Sequence, residues 1–126
     1  MSKLIQMLKS YDDYAELGGV PEIDIVEAEK KLNVDFAPEY KEYLLQCGTA
    51  SVNGHELTGI CISPRLNVIT VTEEELQIIN MEKAYVIERI HMDRIVIWQR
   101  TDGEIYKTQG KCVTKLCDSL AEYVTL

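Results

Sequence analysis

Asp24-Ile25-Val26-Glu27-Ala28-Glu29-Lys30-Lys31-Leu32, then Ala37-Pro38-Glu39-Tyr40-Lys41-Glu42-Tyr43-Leu44-Leu45-Gln46-Cys47-Gly48, then Asn53-Gly54-His55-Glu56-Leu57-Thr58-Gly59-Ile60: residues 24–60 decide how this chain folds. They read as two short helices followed by the first strand of a sheet. Asp24 has the chemistry of an N-cap, and Glu27 three residues on completes a capping-box spacing. Ile25, Ala28 and Leu32 then share one face. Asn33 stands where a left-handed residue ends a helix, a conformation that Asn tolerates. Pro38 suits the first turn of the second helix, where a missing N–H costs nothing. Tyr40, Tyr43, Leu44 and Cys47 fall at i, i+3, i+4 and i+7 and make one apolar stripe. Gly48 stops that helix, and Asn53-Gly54 turns the chain into a strand.

Working outward, Leu4, Met7, Leu8 and Tyr11 keep helical spacing, which predicts a first helix over 3–14. Leu17-Gly18-Gly19-Val20-Pro21 breaks it into a loop. Beyond a strand over 56–62, residues 63–67 read as irregular and Val68-Ile69-Thr70-Val71 as a short edge or connecting strand. Thr72-Glu73-Glu74-Glu75 carries a capping-box signal for a short helix to about Asn80. Residues 84–91 alternate, with Tyr85 and Ile87 on one face and Val86, Glu88 and Ile90 on the other. Residues 95–100 are apolar on both faces at their start, as a central strand is. Thr101-Asp102-Gly103-Glu104 is a hairpin signal, and 104–108 is its second strand. Gln109-Gly110-Lys111 ends that strand. Leu116, Cys117, Leu120, Tyr123 and Val124 mark a closing helix from about Thr114. Helices and strands that are grouped rather than alternating argue an α+β fold, read as a single domain over 1–126.

Composition narrows the function. At 126 residues the chain is long enough for a proper core, and its net charge of −8 argues against direct binding to nucleic acid or anionic membrane. The charge is uneven: residues 12–42 hold ten acids against three lysines, while the remainder carries eleven acids and ten bases. One reading is a solvated helical surface with acids near helix N-termini, where the dipole favours them. The other is a docking surface for a basic partner. The N-terminus lacks a long apolar core, so no signal peptide is expected, and no apolar run reaches membrane-spanning length. Cys47, Cys61, Cys112 and Cys117 form no CxxC pair and sit in apolar patterns, the expectation being reduced, buried thiols in a cytoplasmic protein. Their spacings to His55 and His91 match no zinc motif. No nucleophile–base pattern, phosphate loop or metalloprotease motif is present, so no enzyme, cofactor or metal is expected. Trp98, the one tryptophan, reads as a core anchor of the best strand or as an interface residue.

Five stretches carry a resemblance. The Glu27-Ala28-Glu29 helix, the Pro38-Glu39-Tyr40-Lys41-x-Tyr43-Leu44-Leu45 helix ending in Cys47-Gly48, and the Asn53-Gly54-x-x-Leu57-x-Gly59-Ile60 strand resemble the SUKH superfamily of fungal cell-wall regulators and bacterial immunity proteins. Val96-Ile97-Trp98 with Asp102-Gly103-Glu104-Ile105-Tyr106 resembles its late hairpin. Ser119-Leu120-Ala121-Glu122-Tyr123-Val124 resembles its closing helix, with Leu120 in place of the usual aromatic residue. The resemblance implies a twisted, mostly antiparallel sheet packed by N-terminal helices and a C-terminal helix, without catalysis. It implies an immunity protein that neutralises a cognate polymorphic toxin, often a nuclease, by stoichiometric binding. The acids Asp12, Asp13, Glu16, Glu22 and Glu39 are then the candidate contacts for a basic toxin. Two alternatives stay open: a regulatory interaction module like the fungal members, and a small-molecule pocket between sheet and helices near Trp98 and Tyr106. The oligomeric state is not legible.

Overall fold

The computed structural model describes residues 3–126. Helix α1 spans Lys3–Lys9, followed by β1 (Ala15–Glu16), α2 (Glu22–Leu32), α3 (Pro38–Cys47), β2 (Ala50–Val52) and β3 (His55–Glu56). A 3-10 turn at Pro64–Leu66 leads into α4 (Val68–Leu76), then β4 (Ala84–Ile90), β5 (Ile95–Arg100), β6 (Ile105–Gln109), β7 (Cys112–Cys117) and α5 (Leu120–Tyr123). The strands form two antiparallel sheets, β1-β2-β3 and β4-β5-β6-β7. This is an α+β fold.

Both faces of the larger sheet are covered. On one face Tyr85, Ile87, Ile97 and Ile105 join α1, α2, α3 and α5 in the main core. On the other, Val86, Val96 and Trp98 pack with Val71 of α4, against Leu76, Ile79 and Met81. Trp98 is fully buried, and its indole N–H donates to Thr108 Oγ1 at 3.0 Å, so it is the core anchor of the sheet. Four rings lock α3 to β4. Phe36 meets Tyr40 and Tyr85 edge-on, Tyr40 stacks on Tyr43, and the centroids lie 4.7–5.4 Å apart. Such pairs add about 1 kcal/mol each beyond the area they bury. Their hydroxyls stay satisfied. Tyr43 donates to Thr58 O (3.0 Å) and accepts from Ala50 N–H, while Tyr85 donates to Gln99 Oε1 and accepts from Ala37 N–H.

The second and third helices follow the sequence reading at their faces and ends. Ile25 and Ala28 are buried, Asn33 sits at φ 53 as the left-handed end of α2, and Pro38 opens α3. Gly48 ends α3 at φ 69, and its carbonyl approaches Gly59 so closely that a Cβ there would lie 1.8 Å away. The cap of α2 differs. The helix begins at Glu22 with Pro21 at the N-cap and no side-chain cap, so Asp24 is already helical. Pro21, extended at φ −66 and ψ 151, stands at the N-cap, three residues before the expected one.

Four further expectations are corrected. The first helix stops at Lys9 rather than Tyr14, because Ala15 and Glu16 pair with Ser51 and Ala50. The strand expected over 56–62 is two residues long, and the N–H groups of Leu57, Thr58 and Gly59 donate to Ala50, Ile87 and Leu66 outside any strand ladder. Residues 68–71 are helical, not extended. Asn67 Oδ1 accepts from Ile69 N–H (2.9 Å) and Thr70 N–H (3.3 Å) and caps α4. Thr72 therefore caps nothing. It is buried in α4, where its Oγ1 accepts from Val86 N–H. A cap and a buried Val68-Val71-Thr72 face outweigh the weak strand preference of a β-branched run. Finally, residues 112–117 form β7 instead of a helix. Gly110, at φ 60, turns the chain back on β6, and the closing helix shrinks to Leu120–Tyr123, capped by Ser119 Oγ accepting from Glu122 N–H.

A bulge in β4 corrects the last reading. Register shifts between Val86 and Glu88, so Glu88 pairs with Ile97 and Ile90 with Ile95. Glu88 and Ile90 thereby move to the face that carries Tyr85.

Candidate protein-binding surface

The acidic N-terminal third is spread over α1's exit, β1, α2 and the start of α3, and its carboxylates divide into two kinds. Some are used inside the molecule. Asp13 Oδ1 accepts from Asn53 N–H (2.7 Å) and Oδ2 from Gly54 N–H (2.9 Å), clamping the tip of the β2–β3 hairpin. Those two bonds hold its carboxyl below the usual carboxylate value. Glu16 accepts from the Tyr14 hydroxyl, which also lies 3.2 Å from Cys47 Sγ. Glu29 accepts from Phe36 N–H and pairs with Lys41 at 3.5 Å. Glu39 is the most committed. Its Oε1 accepts from Gln99 Nε2 (2.7 Å) and from Leu120 N–H (2.5 Å), so it ties α3 to β5 and to the start of α5. Burial pushes its pKa up against those bonds.

Other acids face water without a partner. Asp12, Glu22, Glu27 and Asp35 are exposed, and their side chains make no ion pair or hydrogen bond among the described residues. Of the five candidate contacts, the structure thus leaves Asp12 and Glu22 free and engages Asp13, Glu16 and Glu39 internally.

The same region exposes apolar side chains that charge counting does not reveal. Leu17 is 73% exposed, Ile23 65% and Leu45 43%. The loop after β1 runs along the end of α3, with Leu17 N–H donating to Thr49 O and Val20 N–H to Leu44 O. Gly19 lies so close to Leu45 O that a Cβ would sit 1.8 Å from it. Leu17 and Leu45 therefore stand on neighbouring segments, with acids on either side in sequence. The signal lay in the break at Leu17-Gly18-Gly19, where an apolar residue precedes two glycines and has no helical or strand periodicity to bury it.

Behind this surface lies a polar cluster. Glu88, nearly fully buried, accepts at Oε1 from His55 Nδ1 (2.9 Å) and the Tyr123 hydroxyl, and at Oε2 from Glu56 N–H (3.0 Å). His55 packs against Tyr123 with the rings tilted by 46° and their centroids 4.7 Å apart, and Asn53 Nδ2 donates to Val124 O. The bond to Glu88 raises the His55 pKa, opposed by burial and helped by the backbone of Leu126 and the charge of Asp13. His55 Nε2 is buried and has no aligned partner among the described residues. The cluster pins the hairpin and the last helix to β4. It holds the acidic region in register with the sheet.

Trp98 and Tyr106 line neither the cleft beside α2 nor those at the β4–β5 turn and along β1. A cleft of about 470 Å³ lies beside the C-terminal end of α2, lined by Glu29, Lys30, Asp35, Lys83 and Thr101. Smaller ones lie at the β4–β5 turn and along β1. The thiols also differ from expectation, since only Cys47 is buried and Cys112 is exposed on β7. Among the described residues, no three His, Cys, Asp or Glu side chains are grouped to hold a metal ion. No helix among them is long and apolar enough to cross a membrane.

The family model described as SMI1-KNR4 cell-wall (SUKH_5) matches residues 1–125. The chain belongs to the SUKH superfamily. No individual curated protein matches it. As a SUKH domain it is read as a protein-interaction module, and the expected α+β architecture is the one observed. In this SUKH chain the acidic third and the hairpin it clamps form the candidate binding face.

Proposed function

We propose that this protein is an immunity protein. It binds a cognate toxin in the cytoplasm and blocks it by stoichiometric contact, with no catalytic step, no cofactor and no direct contact with nucleic acid or membrane. The observation that carries this reading is the exposure, within the acidic N-terminal third and the end of α3, of Asp12, Glu22, Glu27 and Asp35 without internal partners among the described residues, and of Leu17, Ile23 and Leu45. Apolar residues with a polar surround are the usual anatomy of a protein interface. A toxin that cleaves nucleic acid needs a basic cleft to attract phosphate. An acidic inhibitor associates quickly with such a cleft and occupies it. Membership of the SUKH superfamily supports an interaction role and is compatible with this one.

The test is recovery of partners from the native cells with the tagged chain. A small basic protein retained at one-to-one ratio, toxic when expressed alone and harmless with this chain, is the expected result. Several unrelated cellular proteins, with no toxin among them, would overturn the reading in favour of a regulatory module.

A further inference from the structure

The two edges of the four-stranded sheet end differently. The outer edge of β4 is occupied. Thr58 N–H donates to Ile87 O (2.8 Å), Thr58 Oγ1 donates to Val86 O (2.7 Å), and Val86 N–H donates to Thr72 Oγ1 (3.0 Å). Among the described residues, no strand pairs with the outer edge of β7. Cys112, Val113, Thr114 and Lys115 are all exposed, although Val113 and Thr114 are β-branched strand formers.

The preceding turn decides which backbone groups are open. Gly110 at φ 60, with Lys111 back at negative φ, is the pattern of a two-residue type II′ hairpin. Gln109 and Cys112 are then the hydrogen-bonded pair that flanks the turn. Along the ladder, Thr108↔Val113 is a non-bonded pair, Lys107↔Thr114 a bonded one and Tyr106↔Lys115 non-bonded again. The N–H and C=O of Val113 and Lys115 therefore point away from β6, over the open edge. A charged side chain commonly guards such an edge. Here the Lys115 ammonium is drawn back onto its own chain, 2.7 Å from Glu104 and 2.7 Å from Asp118. No proline interrupts the segment, and the register shift lies beyond it, between the Tyr106 and Ile105 pairs.

We propose that this edge docks a second copy of the chain, β7 against β7 and antiparallel, so that two four-stranded sheets join into one across a two-fold axis at Thr114. The charges select that register. Centring the pair on Val113 sets Lys111 opposite Lys115 of the second copy. Centring it on Lys115 sets that lysine opposite itself. Directly opposed like charges are destabilising in a sheet. Centring on Thr114 avoids both. Val113 then exchanges hydrogen bonds with Lys115 of the second copy, twice by symmetry, and Lys111 of the second copy comes opposite Cys117, next to Asp118. The contact is isologous and closed, so it stops at a dimer. It does not depend on the toxin reading. The hairpin that Asp13 clamps bonds to β4, three strands away, and stays uncovered.

Sedimentation of the full chain tests the proposal, with a cross-link to report the register. Wild type is expected to sediment as a concentration-dependent dimer. Opposed Thr114 residues form a non-hydrogen-bonded pair with Cα atoms about 4.5 Å apart, within disulfide range. Thr114→Cys in a Cys112→Ser background is therefore expected to form a covalent dimer on mild oxidation. Val113→Lys places two like-charge pairs across the axis and should weaken dimerisation about tenfold. Its fold is checked by the emission of buried Trp98. A wild type that stays monomeric at high micromolar concentration overturns the proposal. So does a Thr114→Cys cross-link no stronger than that of an exposed control such as Ser10→Cys, or a folded Val113→Lys that dimerises as wild type does.

Discussion

Glu88 shows how much one side chain commits. It is a carboxylate in a strand whose alternation assigns it to the α4 face, and a bulge turns it to the other face to meet His55, Tyr123 and Glu56. Removing one donor of a charge-assisted set costs more than an ordinary hydrogen bond. Tyr123→Phe leaves no cavity, so it is expected to lower stability by about 2 kcal/mol in urea unfolding. No measurable change would mean that the hydroxyl does not hold α5 to β4. His55 makes the same cluster pH-dependent. Its pKa is raised in the folded chain, chiefly by the bond to Glu88. The stabilisation is then complete below the unfolded value, near 6.5, and is lost as pH rises through the higher folded value. Wild type should lose stability as pH rises from about 6.5 through the folded value, and His55→Gln should lose less over the same rise. Equal slopes for the two proteins would refute the linkage.

At the scale of elements, capping outweighs composition. Val68-Ile69-Thr70-Val71 has the residues of a strand and forms the first turn of α4 because Asn67 satisfies two of its free N–H groups. Asn67→Ala should cost about 1 kcal/mol, seen as a lower melting temperature. Since α4 covers Trp98, its emission should also shift to the red before the global transition. An unshifted melting curve would mean that the Asn67 side chain does not hold the start of α4. The closing helix teaches the complementary lesson. Ser119 and Glu122 hold a capping-box spacing in plain view, but the stripe of Leu116 and Cys117 extended the expected helix backward into what is β7. Short apolar runs fit either period, and the turn at Gly110 decides between them.

For the whole molecule, charge and packing separate. The net charge of −8 comes almost entirely from residues 12–42, so it acts as a field on one part of the surface. Reversing Asp12, Glu22, Glu27 and Asp35 to Lys touches no internal hydrogen bond and brings the net charge to zero, since each reversal adds two units to −8. The folded variant should associate with the proposed toxin about tenfold more slowly or worse at low salt, with a flatter salt dependence. Unchanged association would remove these acids from the interface. Glu39→Lys is a different experiment. It breaks the tie from α3 to β5 and α5, and it should lower stability whether or not a toxin binds.

The sequence alone determined the α+β class, the faces of α2 and α3, the ends at Asn33 and Gly48, and the β5–β6 hairpin, because each rests on residues within a turn or two of one another. It also placed the acidic third. It did not determine which acids are free. Asp13 reaches a hairpin tip 40 residues away and Glu39 a helix start 81 residues away, and no local pattern marks such a bond. The face of Glu88, the exposure of Leu17 and Leu45, and the open edge of β7 were likewise decided only in three dimensions. Each depends on what packs beside the residue, and residue spacing along one strand or helix carries no information about its neighbours across the fold.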